Sequence, residues 1–221
     1  MKKYIAILAM LIIASSGIKA QNVNWKSLQE DQNNGIYLNF GYEFGMTTQL
    51  GYAYKLNKSK PLLLSLDYSF PMGGDLFDDF KFRLGGQTEI YSLNNFLFST
   101  KAYLIARRYE TELVRIFNYG ADLSLMAGYY KSNWHIAGEF GYDMAFASNL
   151  KHNSVMKESY PEIIDGWYKS TGGYFYYGIQ IGRTFYENYD VSLKAGFNNS
   201  RDDDENALLP YYAQLGIFKR F

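Results

Sequence analysis

The chain has no cysteine and only two histidines in 221 residues. The missing thiol excludes a lipid-modified cysteine, disulfides, thiol catalysis and thiolate metal sites at once. Charge of one sign is also missing in excess, because 22 Lys and Arg balance 22 Asp and Glu. No basic surplus therefore points to nucleic acid, and no acidic surplus to a solvating tail. Beyond residue 20 no apolar run approaches the length of a transmembrane helix, which excludes a helical membrane protein.

What the chain has in abundance is aromatic residues, 19% of the total with 22 tyrosines, far more than a core of this size requires. The first 20 residues, MKKYIAILAMLIIASSGIKA, pair a basic start with a short apolar stretch and a small-residue end. They read as a secretory signal peptide cut after Ala20, since the apolar stretch is too short to cross a bilayer. Residues 21–34 are polar and read as a periplasmic lead-in, and residues 35–221 as one domain.

Within that domain the period is two. In WHIAGEFGYDMAF, Trp134, Ile136, Phe140, Tyr142, Met144 and Phe146 share one face, while His135, Glu139 and Asp143 share the other with small residues. LLLSLDYSF and YDVSLKAGFN divide the same way, so these are strands and not helices. Ten strands are expected, with eight or twelve as alternatives. The even number calls for a tight hairpin near Gly45 to Thr47 within an otherwise continuous alternation from Ile36 to Leu56.

Two features give the apolar face its direction. Tyrosines and phenylalanines gather near strand ends, as girdles at two membrane interfaces require. The connections also alternate in length: NKSK, SLNN, YKSN and YENYD are short, whereas PMGGDLFDD, residues 149–172 and NNSRDDDEN are long. The expected fold is all-β, a closed antiparallel transmembrane β-barrel with its apolar face toward lipid.

The signal peptide, the tyrosine-rich strands, the alternating connections and the terminal Phe221 resemble the small outer-membrane β-barrel proteins of Gram-negative bacteria. That resemblance implies outer-membrane lipids and the barrel-assembly machinery as partners, the latter reading Phe221. Lys219 departs from it, standing where the family usually has an aromatic or apolar residue. Neither a nucleic-acid partner nor a cofactor is expected, and oligomeric state is left open.

The inward positions hold the acids Glu43, Asp67, Glu89, Asp122, Glu139, Asp143 and Asp190 against the bases Lys55, Lys81, Arg83, Lys101, Arg107, Lys194 and Arg220. Their charges cancel, so a narrow lumen filled by ion pairs is expected rather than an aqueous channel. His135 precedes Glu139 and Asp143 on the same face, but residues four apart on a strand lie about 13 Å apart and cannot ligate one ion.

Chemistry, if there is any, has one sharper candidate. His152 stands two places before Ser154 in an expected outer loop, with Glu158, Glu162 or Asp165 as a possible acid. That spacing is similar to the motif of outer-membrane lipid A deacylases, whereas Asp78, Asp79, Asp202, Asp203 and Asp204 near His152 would resemble outer-membrane proteases. A solvated loop explains the same residues, and a non-enzymatic barrel is the expectation. RDDDEN lacks the spacing of a calcium loop, so no metal site is expected.

Overall fold

A computed structural model describes residues 23–27, 31–56, 61–73, 77–169, 172–200 and 209–221. Its strands are β1 (Asn34–Tyr42), β2 (Met46–Leu56), β3 (Leu62–Pro71), β4 (Phe80–Leu93), β5 (Phe96–Glu110), β6 (Val114–Tyr130), β7 (Trp134–His152), β8 (Gly166–Lys169), β9 (Gly173–Phe185), β10 (Tyr189–Ser200) and β11 (Tyr211–Arg220). One short helix, α1 (Ser154–Ser159), lies between β7 and β8.

Closure follows from the pairing. Each long strand pairs antiparallel with the next, β7 passing to β9, and β11 returns to β1 from Gly35↔Arg220 to Tyr42↔Ala213. The result is a closed ring of ten strands; β8 stands outside it, paired only with the outer end of β7. Closure leaves no strand edge, so the backbone hydrogen bonds of the wall are satisfied within it, as a bilayer demands.

The alternation seen in the sequence is the alternation of the wall. On β5, Phe98, Leu104 and their even-numbered companions face out, while Leu97, Ser99, Lys101, Tyr103 and Arg107 are buried inside. Aromatic side chains ring the outer interface, where Tyr68 stacks near Phe80, Phe80 meets Phe117, Phe117 meets Tyr119, and Tyr119 stacks on Trp167. Short turns join the strands at the end that holds Asn34 and Phe221, which in outer-membrane barrels is the periplasmic end.

Three local features differ from the sequence expectations. The first hairpin turns at residues 43–45, about two residues earlier than expected, and is closed by the Glu43 N–H donating to the Gly45 carbonyl at 3.0 Å. Strand β7 runs on to His152 instead of ending near Ala147. A bulge opposite Tyr119/Gly120 inserts one residue and reverses the in-out phase beyond it, so the continuation has the wrong parity to be recognised from its first half. His152 is therefore a strand residue, paired with Val114, and not a loop residue.

The third difference is at the N-terminal side. Residues expected as a periplasmic lead-in lie within the barrel mouth: Val23, Asn24 and Trp25 are all buried, and Trp25–Ser27 forms a 3-10 turn. The expected signal peptide and the acidic Asp202, Asp203 and Asp204 lie outside the described residues.

Candidate functional site: the lumen and the outer rim

The strand alternation drives charged side chains into the interior, where each needs a partner because water is scarce. Near the outer end, Arg83 Nε donates to Asp67 Oδ1 at 2.7 Å and Nη1 to Glu43 Oε1 at 2.7 Å. Lys81 Nζ bridges Glu43 at 3.0 Å and Asp143 at 3.1 Å, and Arg107 also pairs with Asp143. Since β4 and β7 are separated by two strands, the Lys81–Asp143 contact is a strut across the lumen.

A second strut lies deeper. Glu139 on β7 accepts from Lys101 on β5 at 3.1 Å, from Lys194 on β10 at 2.7 Å and from the Ser124 hydroxyl at 3.1 Å. At the end with the short turns Arg220 pairs with Asp190 at 3.2 Å, and the Thr184 hydroxyl donates to the same carboxylate at 2.7 Å. Lys55 is buried, and Glu89 is half-buried opposite Ser99 where β4 slips its register.

Asp122 and Asp143 stand directly opposite each other on β6 and β7, an arrangement of like charges that costs stability unless each has its own partner. Asp143 is held by Lys81, Arg107 and the Tyr174 hydroxyl at 3.1 Å, whereas Asp122 accepts from the Tyr176 hydroxyl at 2.6 Å. Between the struts remains a polar cavity of about 70 Å³, lined by Glu43, Lys101, Asp122, Glu139, Tyr176 and Lys194 among others. That is room for a few waters.

The lumenal tyrosines were not legible as partners in the sequence. Tyr37 donates to Asp67 at 2.9 Å and Tyr103 is the acceptor for the Ser65 hydroxyl at 3.0 Å. In a chain with so many tyrosines only the odd numbering of Tyr37 between Ile36 and Leu38 marked it as inward. His135 is fully buried, stacked on Tyr130 at 5.2 Å between centroids, with Nε2 2.8 Å from the Gln180 amide. It shares neither ion nor hydrogen bond with Glu139 or Asp143 among the described residues.

On the outer rim, His152 Nδ1 lies 2.9 Å from Asp165 Oδ1, and the same oxygen accepts from the His152 backbone N–H at 2.9 Å. Lys157 Nζ holds the other oxygen at 2.6 Å. These three contacts, the backbone N–H first, then the ammonium, then the ring, keep the Asp165 carboxyl well below the usual carboxylate range. Of the three candidate acids, Asp165 is thus the one beside His152; Glu158 and Glu162 are exposed.

Ser154 is not part of this arrangement. Asn153 caps α1 by accepting from the Met156 N–H at 2.7 Å, so the backbone turns helical at Ser154 and the extended geometry that would align Ser154 with His152 is absent. Among the described residues no hydrogen bond joins the Ser154 hydroxyl to His152. Asp79 accepts instead from the Glu110 N–H at 2.8 Å, and Asp78 lies 3.8 Å from Arg108. No cluster of metal-ligating side chains occurs among the described residues.

The terminal Phe221 exchanges two backbone hydrogen bonds with Asn34, at 2.9 and 3.0 Å, and its ring is more than half exposed. It thus closes the last rung of the β1–β11 seam.

The pairing, the outward apolar rows and the ion-paired interior define a closed antiparallel transmembrane β-barrel. Solved structures that resemble it include the KdgM porin, at 10% identity over 85% of this chain and 99% of that one with a TM-score of 0.40. The outer-membrane protein Ail of Yersinia pestis resembles it at 14% identity, over 86% and 100% of the two chains, with a TM-score of 0.33. A mutant of the Rh. blastica porin resembles it at 9% identity, over 86% and 99%, with a TM-score of 0.22. No protein-family model and no curated protein matches the chain.

Proposed function

We propose that this chain is a non-enzymatic integral outer-membrane protein that acts through the surface its barrel holds at the outer face, in envelope integrity or surface interaction, without an open channel. The observation that carries the reading is the pair of cross-lumen struts, Lys81 to Asp143 and Glu139 to Lys101 and Lys194. They cross the section through which a solute would have to pass. On this reading the chain is exported by a cleavable signal within residues 1–20, its outward rows meet outer-membrane lipid, and Phe221 is read by the barrel-assembly machinery.

The test is single-channel recording from purified protein in planar bilayers, which should show no stable open level. A large, well-defined conductance would overturn the reading. Limited passage of small solutes is a second reading, favoured by the polar cavity between the struts. It predicts small solute uptake into liposomes that rises when Glu139→Gln loosens the deeper strut. A hydrolase at the rim draws support from the His152–Asp165 pair alone, since Ser154 is turned into α1.

A further inference from the structure

The lower half of the lumen holds apolar patches among its polar groups. Tyr37, Ala53, Leu63 and Phe218 form one buried apolar cluster there, and Leu97, Met126, Tyr130 and Ala137 form another on the opposite side. Inward faces of membrane barrels are ordinarily polar, so these two patches require an occupant. Each has one from outside the wall: Val23 completes the first cluster and Trp25 the second.

Between them, Asn24 is fully buried and its side-chain amide is bound on all sides. Nδ2 donates to the Lys131 carbonyl at 2.7 Å in the β6–β7 turn and to the Thr184 hydroxyl at 3.0 Å, and the Asn24 backbone N–H donates to Asp190 at 3.3 Å. Ser27 accepts from Arg220, the last residue of β11. Five residues thus reach from β1–β3 across the mouth to β5–β7, two apolar side chains pointing inward around one hydrogen-bonded amide.

We propose that Val23–Ser27 is a seated plug that closes the barrel from the periplasmic side, and that the apolar pocket beneath it is a binding site for an aromatic side chain, with Trp25 as its resident ligand. The segment is joined to the wall by side-chain contacts and a few hydrogen bonds only; it adds no strand to the ring. It can therefore leave without breaking a rung of the barrel, and its departure would expose the Leu97, Met126 and Tyr130 pocket to the periplasm. Nothing in the proposal depends on the barrel being non-conducting, because the struts lie above the pocket.

The absence of native cysteine makes the test clean. Met126→Cys places one thiol beneath Trp25 while removing volume and adding none. With the plug intact, a water-soluble maleimide should label it slowly; with residues 23–27 replaced by glycine and serine, labelling should accelerate at least about tenfold, as expected for loss of a protecting local contact. Equal rates, fast or slow, would overturn the proposal, and the heat-dependent shift on SDS gels checks that both barrels are folded.

A second measurement needs no plug variant. The chain has three tryptophans, and Trp134→Phe with Trp167→Phe leaves Trp25 alone. Its fluorescence should resist both aqueous acrylamide and brominated lipid, because the ring lies inside the wall, buried against Leu97, Met126 and Tyr130. Quenching by acrylamide as in free tryptophan would show that the segment is not seated; quenching by brominated lipid would place it outside the barrel, and either result sinks the idea.

Discussion

Arg83 on β4 and Asp67 on β3 are direct cross-strand partners, joined from Nε to Oδ1 at 2.7 Å, with Asp67 fully buried and Arg83 nearly so. The same guanidinium holds Glu43 and donates to Ser69 at 2.8 Å, so one residue ties the first hairpin turn to the third and fourth strands. Asp67 in turn accepts from Gln49 at 2.7 Å and from Tyr37, which makes it the centre of the outer network.

Removing one member should cost more than removing both. Arg83→Met takes the guanidinium away from Asp67 and leaves Glu43 to Lys81, and should lose about 3–5 kcal/mol of stability, whereas Arg83→Met with Asp67→Leu should lose clearly less, since an apolar pair carries no desolvation penalty. Urea titration of the refolded barrel in detergent measures both. Equal losses would mean that Asp67 is solvated once Arg83 is gone and that the pair carries no desolvation penalty.

His135 and Gly182 form a second coupled pair, opposite each other on β7 and β9. A methyl group on Gly182 would stand 2.1 Å from the imidazole Cε1, and the ring cannot retreat because Tyr130 lies parallel against it. Gly182→Ala should therefore destabilise by about 1–3 kcal/mol. Its cost should shrink markedly in a His135→Ala background, a non-additivity expected of residues in contact. Additive costs would show that the glycine serves some other purpose.

Much of this was legible from alternation alone. Ten strands, their inward charges and the long outer connections follow from a period of two, because each lipid-facing row must be apolar and each inward row need not be. The rest was hidden for identifiable reasons. The bulge near Tyr119 reversed the parity of β7, so His152 read as a loop residue. Asn24 and Trp25 were masked by polar neighbours, since a plug held by one amide and two apolar side chains has no period to detect. Partner choice among the lumenal charges was also out of reach, because Lys81 and Asp143 meet across the barrel and not along any strand.

The outer loop gives a pH-dependent test. Asp165 has its carboxyl lowered in the folded protein, so its anchoring of the loop is fully present above the ordinary aspartate value of about 3.9 and is lost as pH falls through the lower folded value. At neutral pH its contribution should be flat. Asp165→Asn should raise the exchange rate of the His152 amide, relative to its intrinsic rate, already at neutral pH. The parent protein should show the same rise only under acid. A rise near pH 6 in the parent would assign the anchoring to another group.

The seam between β1 and β11 separates assembly from stability. Phe221 holds Asn34 through its backbone, while its ring is more than half exposed beside the lipid-facing row of Tyr211, Ala213, Leu215 and Ile217. Lys219 lies on that row too, its ammonium 5.5 Å from the Tyr189 ring, a placement that lets its stem lie along the wall while the charge reaches the interface. Phe221→Ala keeps both backbone hydrogen bonds and removes only the ring. Burial of a whole phenylalanine side chain contributes about 1.5–3 kcal/mol, and a half-exposed one less, so refolding in detergent should change little. If the ring is the feature that the assembly machinery reads, the same variant should lower the amount of folded barrel in the outer membrane of cells severalfold. Parent levels in cells would remove the assembly role from Phe221; an equal loss in detergent would show that the ring acts by holding the seam.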